Sequence, residues 1–169
     1  MRDLLKATYR ALVPGGRIVV RDGVLPPPGA RSLRFLVPEA REFFHLFAAQ
    51  FEGRKVAFEP AGADRVRVPA ADAAEFLFKY TWGAASFPYE IREQYCLLPY
   101  EEYRDSVLEW LAAADPGHPP RAVPIPAAER SYLQDGYRTG LAGKVAIEDD
   151  RGRPCELPDA NALWVYEKG

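Results

Sequence analysis

LVPGGRIVVRD, residues 12–22, sets one proline and two glycines between a run of helical period and a short apolar block. Upstream, Leu4, Leu5, Thr8, Tyr9 and Leu12 recur every three or four residues, which predicts a helix packed on one side over Arg2–Leu12. Pro14 and Gly15 end it, since proline cannot continue a helix and glycine readily takes the turn that follows one. Downstream, Ile18, Val19 and Val20 form a continuous apolar block, which predicts a strand over Arg17–Arg21 buried on both faces, as in a parallel sheet. A chain that opens on a helix–turn–strand connection is expected to have an earlier part supplied elsewhere.

The 169 residues, 48% of them hydrophobic, suffice for one core and predict a single domain over 1–169. Lys and Arg number 22 against 24 Asp and Glu, a formal charge of -2, so neither a basic field nor an acidic tail is expected. The arginines between Arg31 and Arg67 are interrupted by Glu39, Glu42, Glu52, Glu59 and Asp64, which argues against a nucleic-acid partner. No apolar run is long enough to span a bilayer, so no membrane partner is expected. Cys96 and Cys155 lack metal-ligand or redox spacing, which predicts unbonded thiols in a reducing, cytoplasmic setting. His45 and His118 stand too far apart for a metal site, and no metal is expected.

Further along, VLPPPGA is a connector, because proline lacks the amide donor that a helix or a central strand needs. EAREFFHLFAAQF carries Phe43, Phe44, Phe47 and Phe51 on one helical face. Residues 53–68 read either as a loop or as a weak hairpin around Gly-Ala-Asp. PAADAAEFLFKYTWG and LPYEEYRDSVLEWLAAA predict two more helices, each with proline in an accepted position near its start. DPGHPPRAVPIP is read as a second connector, Ala127–Leu141 as a last helix, and KVAIED and ALWVYEK as an antiparallel hairpin with a long loop.

Trp82, Tyr89, Glu90, Arg92, Glu93, Gln94 and Tyr95 form the densest mixture of aromatic and hydrogen-bonding groups, the composition of small-molecule pockets. Within it Glu90 or Glu93 is the candidate catalytic base, and Trp82, Tyr89, Arg92, Gln94 and Tyr95 are candidate substrate contacts. The competing reading is a solvated charged turn whose aromatics pack the core.

The stretch LLKATYRALVPGGRIVVRDGVLPP resembles the later part of class I S-adenosylmethionine-dependent methyltransferases, in which a helix leads through a Pro-Gly-Gly turn into the fifth strand. The resemblance implies an α/β fold, the late part of a Rossmann-like sheet: three strands in the order fifth, seventh, sixth, ending in an antiparallel pair. It makes Phe35–Ala114 a helical cap insertion over the substrate, and it puts Asp22 at the carboxyl end of the fifth strand, where such sheets place ligands. Asp22 also reads as a turn residue beside Gly23. The chain contains no Gly-x-Gly, which that family uses to bring backbone to its cofactor, so S-adenosylmethionine binding is expected only with a separate N-terminal half. The expected function is thus the substrate-cap portion of a small-molecule methyltransferase, acting as a homodimer or with that N-terminal half. The alternatives are a non-catalytic, truncated interaction or dimerisation module, or a metabolite binder.

Overall fold

The computed structural model describes residues 1–95, 98–125, 139–149, 151–155 and 161–169. Among them the fold is mixed α/β with two antiparallel sheets, each belonging to one of two compact units. The first unit comprises Met1–Val24, Leu98–Tyr132 and Asn161–Gly169; the second comprises Leu25–Leu97 and Leu133–Ala160.

In the first unit, α1 (Arg2–Ala11) buries Leu5 and Tyr9 and leaves Leu4 exposed, a narrower contact face than the apolar spacing predicts. The turn after it needs both glycines. Gly15 has φ +79°, which favours glycine, and a Cβ on Gly16 would stand 2.8 Å from the Val13 carbonyl oxygen. The turn is tied to the far end of the chain: the Gly15 amide donates to Lys168 O at 2.8 Å and the Lys168 amide to Gly16 O at 2.9 Å.

The strand that follows, β1 (Arg17–Gly23), alternates, with Ile18 and Val20 buried and Val19 57% exposed. Burial on both faces is therefore corrected: among the described residues helices pack against one face of the sheet only, and period-two alternation is what such a strand requires. β7 (Asn161–Lys168) lies at the centre of this three-stranded sheet, antiparallel both to β1 and to β5 (Pro120–Val123). Two expectations fail here. The proline-rich run read as a connector contains β5, whose leading Pro120 is tolerated at the start of an edge strand. The segment KVAIED does not pair with ALWVYEK, for its strand belongs to the second unit.

Ile18, Val20, Ala162, Trp164 and Tyr166 face Tyr9 of α1 and Tyr103, Val107 and Leu111 of α5 (Tyr100–Ala114). Each large apolar side chain buried this way contributes about 1.5–3 kcal/mol. Lys168, only 4% exposed, turns its ammonium to the end of α1, donating to Leu12 O at 3.0 Å and Tyr9 O at 3.3 Å, and pairs with Asp115 at 2.7 Å. A cation there complements the negative end of the helix dipole.

In the second unit β2 (Ala30–Phe35) and β4 (Arg65–Pro69) form the middle of a four-stranded sheet, flanked by β3 (Glu59–Pro60) on one side and β6 (Val145–Glu148) on the other. The 53–68 region is thus a hairpin, β3 pairing with β4. Helices α2 (Pro38–Gln50) and α3 (Ala70–Trp82) bring Phe43, Phe44, Phe47 and Phe76 into one aromatic core with Leu33 and Phe35 of the sheet. The expected helical cap over 35–114 is corrected in two respects. It is built on a sheet that recruits β6 from far along the chain, and its last helix, α5, belongs to the first unit.

Of the last expected helix, 139–141 is helical and residues 126–138 lie outside the described ones, as does Cys96 of the expected unbonded pair. Among the described residues no helix is long and apolar enough to cross a membrane.

Candidate functional site

The sequence AADAAEFLFKYTW has too few polar positions to give α3 a solvated side, so its charged residues are carried inward. Asp72, Glu75 and Lys79 are all buried, the last two completely. Such burial is tolerable only with full pairing. The Lys79 ammonium has it: Glu75 Oε1 lies 3.3 Å away and the carbonyl oxygens of Glu90 and Glu93 accept at 2.9 and 2.7 Å. The rings of Phe51 and Tyr95 flank it, their centroids 4.8 and 4.9 Å from Nζ. Glu75 in turn accepts from the Tyr95 amide at 3.2 Å and faces the Arg54 guanidinium at 3.6 Å. Arg54 also pairs with Asp72 at 2.8 Å, and Asp72 accepts from the Ala57 amide at 3.3 Å.

This charged cluster fixes the segment that carries most of the predicted site residues. After Gly83 caps α3 with φ +86°, the chain makes the short helix α4 (Phe87–Glu90) and a turn, and it is held under Lys79 by its own carbonyl groups. Glu90 and Glu93 come together through one group, the Tyr95 hydroxyl, which donates toward the Glu90 carboxylate and lies 2.9 Å from that of Glu93. Burial, first, and then these two carboxylates raise the Tyr95 phenol far above its ordinary range, so it stays a protonated donor. Tyr95 also stacks on Phe78 with centroids 5.3 Å apart. The Gln94 amide, oriented so that both its ends are satisfied, donates to Gly53 O and accepts from Arg54.

The remaining candidates sit apart from this cluster. Trp82 is 57% and Tyr89 85% exposed, and Arg92 makes a surface ion pair with Glu52. Asp22 belongs to the first unit, where Oδ1 accepts from the Gly23 amide at 2.8 Å and Oδ2 from the Tyr103 hydroxyl at 2.5 Å. The first contact is the turn role that the sequence allowed. The second makes Tyr103, which the sequence reading placed only on an apolar helix face, a partner of the carboxylate. Burial and then Asp22 push its phenol well above the usual value.

Sequence reading also missed Asp72, Glu75 and Lys79. An i,i+4 Glu–Lys pair normally marks a solvated helix face; the contrary signal was the apolar character of every other face of α3.

Protein-family models, curated proteins and solved structures were compared with the chain, and none matches. Among the described residues no group of three or more His, Cys, Asp or Glu is placed to hold a metal. A cavity of about 480 Å³ opens on the second unit between Gly29, Phe58, Glu59, Arg67 and Pro69, and it is lined by none of the predicted residues.

Proposed function

We propose that this chain is the C-terminal, substrate-cap portion of an S-adenosylmethionine-dependent methyltransferase acting on a small molecule in the cytoplasm. The observation that supports the reading best is the strand order β1-β7-β5. The last strand in sequence lies between the other two and runs antiparallel to both, the order that the Pro-Gly-Gly resemblance implies for the family's late strands. The sixth strand is then β5 and not KVAIED.

The described residues do not fit the cofactor. The described strand-to-helix junctions, Leu36–Pro38 after β2 and Pro69–Ala70 after β4, carry no glycine to admit a nucleotide to the backbone. No methyl-transfer step is therefore assigned to them, and cofactor binding falls to an N-terminal half. On the acceptor side, the Glu90–Tyr95–Glu93 arrangement is the candidate proton-handling group.

Two measurements test this. Isothermal titration of the 169-residue chain with S-adenosylmethionine should show no binding; micromolar affinity would refute the division of labour. Coding sequence joined to or adjoining this gene should specify a strand, a Gly-rich turn and a helix, and the combined protein should pass a labelled methyl group to a small acceptor. Absence of such a segment would favour the second reading, a non-catalytic dimerisation module, for which the observation is the open edge of β1, paired only with β7 among the described residues.

A further inference from the structure

The first unit's sheet shows a second surface, opposite the face that α1 and α5 cover. Strand register arranges it in rows. Arg17, Glu167 and Arg121 stand side by side across β1, β7 and β5, and the next row on the same face is Val19, Val165 and Val123. Val19 is 57% exposed, and Val165 and Val123 are partly exposed. In the charged row the Glu167 carboxylate is 14% exposed, beneath guanidiniums that are 58% and 63% exposed. Arg17 and Arg121 both donate to it, holding its carboxyl below the ordinary value. The anion is thus spent within the triad, and what the row offers outward is two cations with further N–H donors.

We propose that this face docks an amphipathic helix of another polypeptide, with an apolar stripe over Val19, Val165 and Val123 and acidic side chains meeting Arg17 and Arg121. A helix fits because the face offers side chains and no backbone groups. β7 is paired on both sides, so among the described residues an added strand could bond only at the outer edges of β1 and β5 and not on this face, whereas a helix brings its own backbone bonds satisfied. A second copy fits poorly, since a twofold face-to-face contact sets Arg17 and Arg121 against the same pair. The proposal is independent of methyl transfer.

The probes are two synthetic helical peptides with the same leucine stripe, one flanked by Glu and the other by Lys, each titrated against the full chain by fluorescence anisotropy at low and high salt. The Glu-flanked peptide should bind at least about tenfold more tightly than its Lys twin, and its affinity should fall with salt. Arg17→Glu with Arg121→Glu should reverse the preference, and the milder Arg17→Gln with Arg121→Gln should abolish it with the circular dichroism spectrum unchanged. Val19→Lys should weaken binding of the Glu-flanked peptide about tenfold or more. Three results would overturn the proposal: equal binding of both peptides, binding indifferent to the arginine changes, or sedimentation equilibrium showing that the wild-type chain self-associates through this face and loses that association in Val19→Lys.

Discussion

Replacing Lys79 with methionine isolates what the buried cluster contributes. The substitution keeps most of the side-chain volume and removes the ammonium, so Glu75, with no exposed surface, loses its lysine partner while keeping contacts that include the Tyr95 amide and the Arg54 guanidinium at 3.6 Å. The carbonyls of Glu90 and Glu93 lose their common donor. Removing one partner of a buried pair costs about 3–5 kcal/mol. The Glu90 carbonyl keeps the Glu93 amide as a donor at 3.1 Å; the Glu93 carbonyl, if left dry, would add about 1–3 kcal/mol, but the turn that carries it can relax toward water, so the pair figure is the working value. For a chain of this length 1 kcal/mol moves the melting temperature by roughly 2–4 °C, giving a fall of roughly 6–20 °C. Urea denaturation with tryptophan fluorescence reads the units separately, because Trp82 lies in the second and Trp110 and Trp164 in the first. The loss should appear in the Trp82 transition. Lys79→Met combined with Glu75→Leu should cost less than the sum of the singles by about 1–3 kcal/mol. A single-variant cost under about 1 kcal/mol, or strict additivity, would refute the claim that this pair pins the 83–95 segment.

In the turn that joins α1 to β1, Gly15→Ala should cost about 1–2 kcal/mol for a left-handed φ, and Gly16→Ala more, because its Cβ meets Val13 O; equal losses in thermal unfolding would contradict the geometry. Tyr95, Tyr103 and Tyr166 have phenols raised by burial first, so alkaline titration by absorbance should show fewer than the nine tyrosines ionising near pH 10, the rest appearing only with unfolding. Their folded values lie above their unfolded ones, so their contribution to stability is complete below about pH 10 and is lost as pH rises beyond it. Lys168→Met should lower the melting temperature of the first unit, by less than Lys79→Met lowers that of the second. Since the hydrogen bond from Lys168 is the main cause that lowers the Asp115 carboxyl, the gap between wild type and variant should narrow as pH falls below the ordinary carboxyl value of 3.8, the part due to the carbonyl bonds at the end of α1 remaining.

The helices were legible because their apolar spacing is local: α1, α2, α3 and α5 stand where the three- and four-residue recurrences fall. Strand partners were not, because pairing is a relation between distant segments. ALWVYEK alternates well, yet nothing in it favours β1 and β5 over KVAIED. The apolar block Ile18-Val19-Val20 misled for a related reason, since one exposed valine is compatible with a strand open on one face. Around the candidate site, the aromatic and acidic density of residues 82–95 was visible, and the structure does gather Glu90, Glu93, Gln94 and Tyr95 about α3. What organises them was hidden in a Glu–Lys pair of ordinary appearance. Asp22 was singled out as a carboxylate at a strand end, but its bond to Tyr103, 81 positions away, could not be read from spacing.

The tie between the Pro-Gly-Gly turn and the end of β7 bears on the order of folding. Arg17 and Glu167 pair across 150 positions, so the first unit closes on segments that an unstructured chain would rarely bring together. Ring closure over that span costs roughly 4 kcal/mol in chain entropy beyond a constant, and contacts of such range slow folding. Both interruptions of the first unit, Leu25–Leu97 and Leu133–Ala160, belong to the second. If the second unit collapses first, on its own aromatic core, two long flexible spans shrink to the fixed distances between its entry and exit points, and the sheet around β7 then assembles from short tethers.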